Sequence, residues 1–465
     1  MRPKLLLVGI AAVVGGCVTG PDYERPRTPV PASIGDVASA TDVALPIWSV
    51  YFADATLADL IDQALQHNRD LRVALARVEE ARAQFGVRRA DLFPSFDVNV
   101  QEAAVRGPVL GQPANLVTRR YDVNLGLLAY ELDFWGRVRR LKEAALANYL
   151  ASEEGSRAFR LSLIADVANA YYSVRSLDER AELARRTAVT REQALRLIDR
   201  RVEAGVASRL DKLQAESVLE SARADAAANA RQAANARNAL AVLVGQAIAV
   251  SGPSGAALDD LPLPALLPSG LSSSALLNRP DVLQAEQNLV AANANVGAAR
   301  AAFFPRVTLV GSAGFASPQL SGLFDSDRRA WSFVPSIVTP IFDGGRSAAN
   351  ADVAEARKVV AVAQYEKSIQ QAFAEVANVL SDQSYLAQQF AAQARLAARQ
   401  DERLKLAQAR YDAGLIGYLE VLDAQREQYA AQQALIEVKR ARLAAAAQAY
   451  KALGGGPASR ELKGT

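Results

Sequence analysis

The chain has 465 residues, half of them apolar and 22% charged, with 53 basic residues against 50 acidic ones. A formal charge of +3 lacks the concentrated basic face that nucleic-acid binding uses, so no nucleic-acid partner is expected. One His, one Cys and one Met exclude a His-based catalytic triad and a multi-histidine metal site within one chain. Aromatic residues are sparse at 6% and alanine is abundant, a mixture that suits long, closely approaching helices.

The first seventeen residues read as a targeting segment. Arg2 and Lys4 precede an apolar run, Leu5 to Val14, that is too short to span a bilayer as a helix. The run ends in Val14-Gly15-Gly16-Cys17, small residues before the chain's single cysteine, and this resembles a bacterial lipobox. Residues 1–16 are then a lipoprotein signal peptide, and Cys17 is the lipidated start of an N-terminal segment, 17–50. Acyl chains contribute about 0.8 kcal/mol per buried CH₂, so several anchor a protein firmly. Val18 follows Cys17, where an acid is the usual lipoprotein signal for the inner membrane, so outer-membrane sorting is implied. No cofactor is expected beyond this covalent lipid.

From residue 51 the chain follows one plan twice. Arg69 to Phe96 resembles Pro280 to Val307: Asp70 aligns with Asp281 and Pro94 with Pro305, each 211 residues apart. Arg137 with Arg346, Val167 with Val376 and Gly205 with Gly414 are each 209 apart. A lag this constant marks an internal repeat. The first repeat is 51–252, with strands at about 95–106 and 119–132 and a helical hairpin at about 137–245. A Pro/Gly-rich linker, 253–275, leads to the second repeat, 276–456, with strands at about 306–316 and 329–341 and a hairpin at about 345–453. Residues 457–465 form a tail. His67 reads as a surface residue at a helix end.

The strands show period two. Phe96, Val98 and Val100 alternate with Asp97, Asn99 and Gln101, and Tyr121, Val123, Leu125 and Leu127 with Asp122, Asn124 and Gly126. Val307, Leu309, Phe315, Trp331, Phe333 and Ile337 carry the apolar face in the second repeat, where Pro335 and Pro340 weaken the fourth strand. One apolar and one small or polar face over about ten residues is the transmembrane-barrel pattern. Two solvent-facing hairpins are the alternative. Four strands cannot close a barrel, which takes about eight, and open edges in lipid cost several kcal/mol per unpaired group. Chains must therefore share a barrel: two would give eight strands and three twelve.

No proline occurs between Arg137 and Gly252, or between Phe342 and Gly456. A limb from Arg137 to Glu203 runs about 100 Å as helix, too long for a globular domain. On the last limb Leu415, Leu422, Tyr429, Ile436, Leu443 and Tyr450 recur every seven residues, and Ala424, Ala431, Val438 and Ala445 do so two positions on. Two seams about 200° apart suit a helix with a neighbour on each side, as in a ring. "RVEAGVASRLDKLQAES" and "RYDAGLIGYLEVLDAQR" mark where each hairpin reverses. Gly205 and Gly414 permit the turn, and Asp211, Glu420 and Asp423 favour the positive start of the returning helix. Repeated around an axis, Glu420 and Asp423 would form carboxylate rings that bias traffic toward cations; charges about 7 Å apart in water interact by roughly 0.6 kcal/mol. As paired catalytic carboxylates they lack a cleft, so an enzyme is not expected.

"CVTGPDYERP", "LLNRPDVLQAEQNLVAANANVGAARAAFFPRVTL" and the second tip motif resemble the TolC-like outer-membrane efflux proteins, in their lipoprotein branch serving resistance-nodulation-division pumps. The resemblance covers nearly all the mature chain. It implies a mainly α fold with membrane β: a homotrimer whose four strands per chain share a twelve-stranded outer-membrane barrel, above a long α-helical barrel in the periplasm. It implies a lipid-anchored exit duct that meets outer-membrane lipid, a periplasmic adaptor and an inner-membrane pump. Tip turns that contact the adaptor match Ala204-Gly205-Val206 and Ala413-Gly414-Leu415. The periplasmic constriction matches Leu419, Glu420 and Asp423, and a gate latch matches Tyr411 and Asp211. Ile416 stands where some members place an arginine. Ducts for protein secretion or metal efflux, and a non-porous periplasmic scaffold, are the competing readings.

Overall fold

The computed structural model describes residues 19–35, 40–41, 45–106, 117–248, 258–264, 267–268 and 270–456. The expected signal peptide 1–16, Cys17, the first part of the linker at 253–257 and the tail 457–465 lie outside the described residues. In chain order the main elements are β1 (Ser33–Gly35), β2 (Ala40–Thr41), α1 (Trp48–Tyr51), α2 (Ala55–His67), α3 (Arg69–Ala90), β3 (Phe96–Arg106), β4 (Val117–Leu132), α4 (Arg137–Glu203), α5 (Arg209–Val244), β5 (Gly270–Ser272), α6 (Pro280–Ala301), β6 (Arg306–Ser317), β7 (Arg329–Val338), α7 (Arg346–Asp412) and α8 (Tyr418–Ala452). Most of the chain is helical. Helices α4 and α7 are each 67 residues long, about 100 Å at 1.5 Å per residue. His67 is the exposed last residue of α2.

Two compact units form. The first comprises Met1–Arg27, Arg77–Glu153 and Gln284–Glu366. It holds an antiparallel sheet of order β3-β4-β6-β7. The register stacks apolar rungs on one face: Phe96–Leu127–Gly311–Phe333 and Val98–Leu125–Ala313–Trp331. The rungs between them, Asp97–Gly126–Ser312–Ser332 and Asn99–Asn124–Gly314–Ala330, face the other way. Ser312 and Ser332 hydrogen-bond across the polar face at 2.8 Å. The register shifts between Leu127 and Tyr130, where Ala129 has φ 44°. This bulge sets two residues of β4 against one of β6, so Tyr130 and Leu132 rejoin the apolar side instead of alternating away from it. β7 ends at Val338, before Pro340. Pro335 pairs with Leu309 in this edge strand, a position that tolerates a missing N–H.

Among the described residues nothing covers the apolar face, and on the polar face Asp97, Asn99 and Ser332 are exposed. Trp331 is 80% exposed and Val98 72%. Below the strands, aspartates start both long helices: Asp133 accepts from the Val138 and Arg139 amides, and Asp343 from those of Gly345 and Ser347. The Ser347 hydroxyl and amide hold the Asp343 carboxyl below its ordinary value. Alanines make one of the close helix contacts of this unit. Ala144 and Ala147 of α4 pack on Ala291 and Ala294 of α6, which lets the backbones approach closely.

The second unit comprises Thr28–Ala76, Glu154–Leu283 and Lys367–Thr465. It holds a small sheet of order β1-β5-β2, together with α2, α5, α8 and the remaining lengths of α4 and α7. Its core is built of Ala, Leu, Ile, Val and Tyr, with Tyr450 1% exposed against Tyr51 and Phe52. Of the two seams expected on α8, Ala424, Ala431 and Val438 are buried, as are Ile436, Leu443 and Tyr450. The first seam opens toward the turn, where Leu415 is 69% exposed.

Candidate functional site at the hairpin turns

Both hairpins of the second unit reverse through the same device. The Val206 amide donates to the Arg201 carbonyl and the Gly205 amide to Val202; the Leu415 amide donates to Arg410 and the Gly414 amide to Tyr411. Each is a Schellman turn with glycine in the left-handed region, at φ 72° for Gly205 and 71° for Gly414. Nothing lies within 4 Å of a Cβ built on either glycine, so their φ, not crowding, selects the residue. Ala204, Gly205, Val206, Ala413, Gly414 and Leu415 are all exposed, with Val206 at 74%. A turn that presents bare Val and Leu offers an apolar contact surface.

The returning helices begin differently. Ser208 and Asp211 form a capping box on α5, the Asp211 carboxylate accepting from the Ser208 amide at 2.9 Å and hydroxyl at 2.8 Å. Gly417 caps α8 without a side chain. Tyr411 and Asp211 do not hydrogen-bond to each other. Tyr411 lies against Tyr418 at 5.5 Å and under the Arg201 guanidinium at 4.7 Å, while Arg201 reaches Asp412 at 3.7 Å. Beneath the turns Ile198, Ala215, Tyr418 and Val421 form a buried cluster joined by Tyr411 and Ile416. Burial pushes the Tyr418 hydroxyl up to about 12, with Tyr411 adding to the effect.

That shift predicts alkaline sensitivity of the tip. Unfolded tyrosine ionises near pH 10, so the unfolded state loses its proton first. The stabilisation from Tyr418 is complete below pH 10 and is lost as pH rises toward 12. Expected outcome: Tyr418→Phe narrows the loss of tip protection between pH 10 and 12, read by hydrogen exchange of α8 amides against their pH-corrected intrinsic rates. An unchanged profile would remove Tyr418 as the cause.

A groove of about 1130 Å³ opens beside this cluster. Five arginines line it (Arg191, Arg399, Arg403, Arg410 and Arg426) with four acids (Asp225, Glu402, Glu420 and Asp423). Asp423 is doubly paired: Arg403 of α7 reaches it at 2.5 Å and Arg426 of α8 at 2.7 Å. Glu420, one turn earlier, is exposed and has no ion pair among the described residues, and Leu419 beside it is 66% exposed. The two acids that look alike in sequence therefore differ in charge environment. Sequence reasoning missed Arg403, although the signal was present. In an antiparallel hairpin, residues equidistant from the turn are neighbours, and 403 and 423 are equidistant from Ala413. The same folding about Gly205 brings Lys212 to Asp199 at 2.7 Å.

Among the described residues no group of His, Cys, Asp or Glu could hold a metal ion, and no helix is long and apolar enough to cross a membrane. The latter says nothing of strands.

Comparison with known proteins gives one consistent neighbourhood. The family model for "Outer membrane efflux protein" matches residues 60–246 and 271–455. Those stretches start 211 residues apart and end 209 apart, the same lags as the internal repeat. Outer membrane protein OprJ of Pseudomonas aeruginosa is 44% identical over 96% of this chain and 94% of its own. Solvent efflux pump outer membrane protein SrpC of Pseudomonas putida is 42% identical over 98% and 99%. The open-state crystal structure of the Neisseria gonorrhoeae MtrE outer membrane channel superposes with a TM-score of 0.85 at 40% identity, covering 95% of this chain and 98% of that one. A CusC crystal structure does so with 0.85 at 38%, over 95% and 100%.

Proposed function

Starting from the fact that this chain belongs to the outer membrane efflux protein family, we propose how it forms and charges its duct. The protein is an outer-membrane component of an efflux pump, the exit channel for small molecules. One observation carries the finer reading: a four-stranded sheet with a bare apolar face and with free edges at β3 and β7 among the described residues. Unpaired edges in lipid are costly, and copies of the chain satisfy them. Three copies supply twelve strands, enough to close around an aqueous lumen lined by Asp97, Asn99, Asn124, Ser312 and Ser332. The 67-residue helices of each copy then extend the wall as a helical barrel on the periplasmic side.

The duct is passive and not an enzyme. The sequence has no Gly-x-x-x-x-Gly-Lys-Ser/Thr phosphate loop, so the energy comes from an inner-membrane pump, joined through a periplasmic adaptor. The exposed tip turns, with Val206 and Leu415, are the surface offered to that adaptor. Cys17 carries the lipid anchor. SrpC and TtgI are named for solvent and toluene efflux. The cargo here is the small-molecule set that its own pump delivers.

At the constriction, Leu419 supplies the apolar ring and Glu420 the uncompensated charge. Asp423 is a carboxylate held between two guanidiniums, so its main effect is to neutralise them. The test is conductance of purified trimers in planar bilayers. Wild type should conduct with a cation preference, and Glu420→Gln should lower that preference about two- to threefold, as expected for roughly 0.6 kcal/mol per lost interaction. Asp423→Asn should lower it further, because Arg403 and Arg426 are released. No conductance would favour the non-porous scaffold, and unchanged selectivity in both variants would remove the charge ring.

A further inference from the structure

We infer that one face of α6 is a docking track for the N-terminal segment, and that this track ties the lipid anchor to the base of the strands. The inference rests on lipidation at Cys17, but not on the duct conducting. The track reads along α6 at helical spacing: Glu286, Asn293 and Gly297. The segment Thr19 to Arg25 lies against them in antiparallel order. Arg25 makes a bidentate pair with Glu286, Nε to Oε1 at 2.7 Å and Nη2 to Oε2 at 2.8 Å, and the Tyr23 hydroxyl donates to Oε1 at 2.9 Å. The Asn293 side chain donates to the Pro21 carbonyl at 2.9 Å. Gly20, at φ 108°, rests on Gly297 so closely that a Cβ on it would overlap the Gly297 backbone. Thr19 ends the run, its amide and hydroxyl both donating to the Trp135 carbonyl at 3.1 and 2.9 Å.

These contacts are not those of a loose tail. Glu286 is 5% exposed and Asn293 3%, both polar side chains buried against a segment far away in sequence. A buried carboxylate is retained only when it is paired and hydrogen-bonded, and here the segment supplies that pairing. Trp135 marks the destination. It follows β4 by three residues, its indole donates to the Pro305 carbonyl just before β6, and its ring stacks on Phe304 at 4.8 Å. Aromatic residues at strand bases sit at the headgroup level of a membrane. Thr19 is two residues from Cys17, and two residues of chain reach at most about 7 Å. A lipid on Cys17 is thus tethered beside the sheet that must enter the same bilayer, so docking couples anchoring to strand insertion.

The experiment uses full-length lipidated protein. Arg27 is followed by Thr28, and trypsin must draw several residues on either side of the bond into its cleft, Arg25 and Tyr23 among them, so cleavage there reports release of the segment from Glu286. Arg25→Ala, which alters only the segment, and Glu286→Gln should each speed that cleavage by roughly tenfold or more, since cleavage tracks the opened population. Both should lower the yield of heat-resistant trimers, while the trimers that form keep wild-type conductance. The exchange Arg25→Glu with Glu286→Arg should restore protection, an outcome that a merely structural loss at either position does not give. Unchanged cleavage in both single variants, or a charge exchange that fails to restore protection, would overturn the track. Non-conducting wild-type trimers would overturn the duct and leave the track standing.

Discussion

Gly314→Val should abolish trimers and conductance, the largest effect expected of any single substitution in the sheet. Gly314 lies in β6 opposite Asn124, on the polar face, in the central pair of strands. A Cβ there would fall inside 3.0 Å of the Val123 carbonyl oxygen and of the Asn124 Cα and Cβ. The first two obstacles are backbone, which cannot swing aside as a flexible side chain does. The strands must part, and the four-stranded order β3-β4-β6-β7 then splits into two hairpins. Overpacking costs about 3 kcal/mol or more at its upper range, and isolated hairpins are marginal. Gly126 provides the control, one rung away on the same polar face. A Cβ there meets nothing closer than 3.7 Å, so Gly126→Ala should leave trimer yield within about twofold. Equal tolerance at both positions would mean that the close β4–β6 approach is not what joins the halves of the sheet.

Removing both carboxylates around Arg279 should destabilise the second unit by about 3–5 kcal/mol, more than removing the arginine itself. Arg279 is 3% exposed at the start of α6. It pairs with Asp281 at 2.7 Å and Glu375 at 2.6 Å, and donates to the Ala452 carbonyl at 2.7 Å, closing the C-terminal end of α8 with a cation. Both acids are partly exposed, so without Arg279 they can be hydrated. A guanidinium left inside without them cannot. Asp281→Ala with Glu375→Ala should therefore lower the denaturation midpoint further than Arg279→Met, which keeps an unbranched apolar stem of similar reach. The reverse order would show that the arginine's packing and helix cap, not its charge balance, dominate.

Much of this molecule is written in local pattern. The proline-free limbs, the glycines at 205 and 414 and the constant lag between Asp70 and Asp281 are legible because helix, turn and repeat are properties of short stretches. The strand alternation from Phe96 to Gln101 is legible for the same reason, since successive side chains must point to opposite faces. Tertiary structure decided what each charged group meets. Asp423 and Glu420 look equivalent on one helix, yet only Asp423 receives Arg403, which comes from the other limb of the hairpin. Asp211 matches a latch by resemblance, and the fold adds that its carboxylate also accepts from Ser208 in a helix cap. The bulge at Ala129 depends on β4 finding β6, a partner that the linear pattern of β4 does not name. Glu286 is an unremarkable helix acid until Tyr23 and Arg25 fold onto it across some 260 residues. Periodicity states which face of an element is apolar, because that depends on backbone geometry alone. Which charge is compensated depends on segments brought together by burial, and that is decided only when the chain has folded.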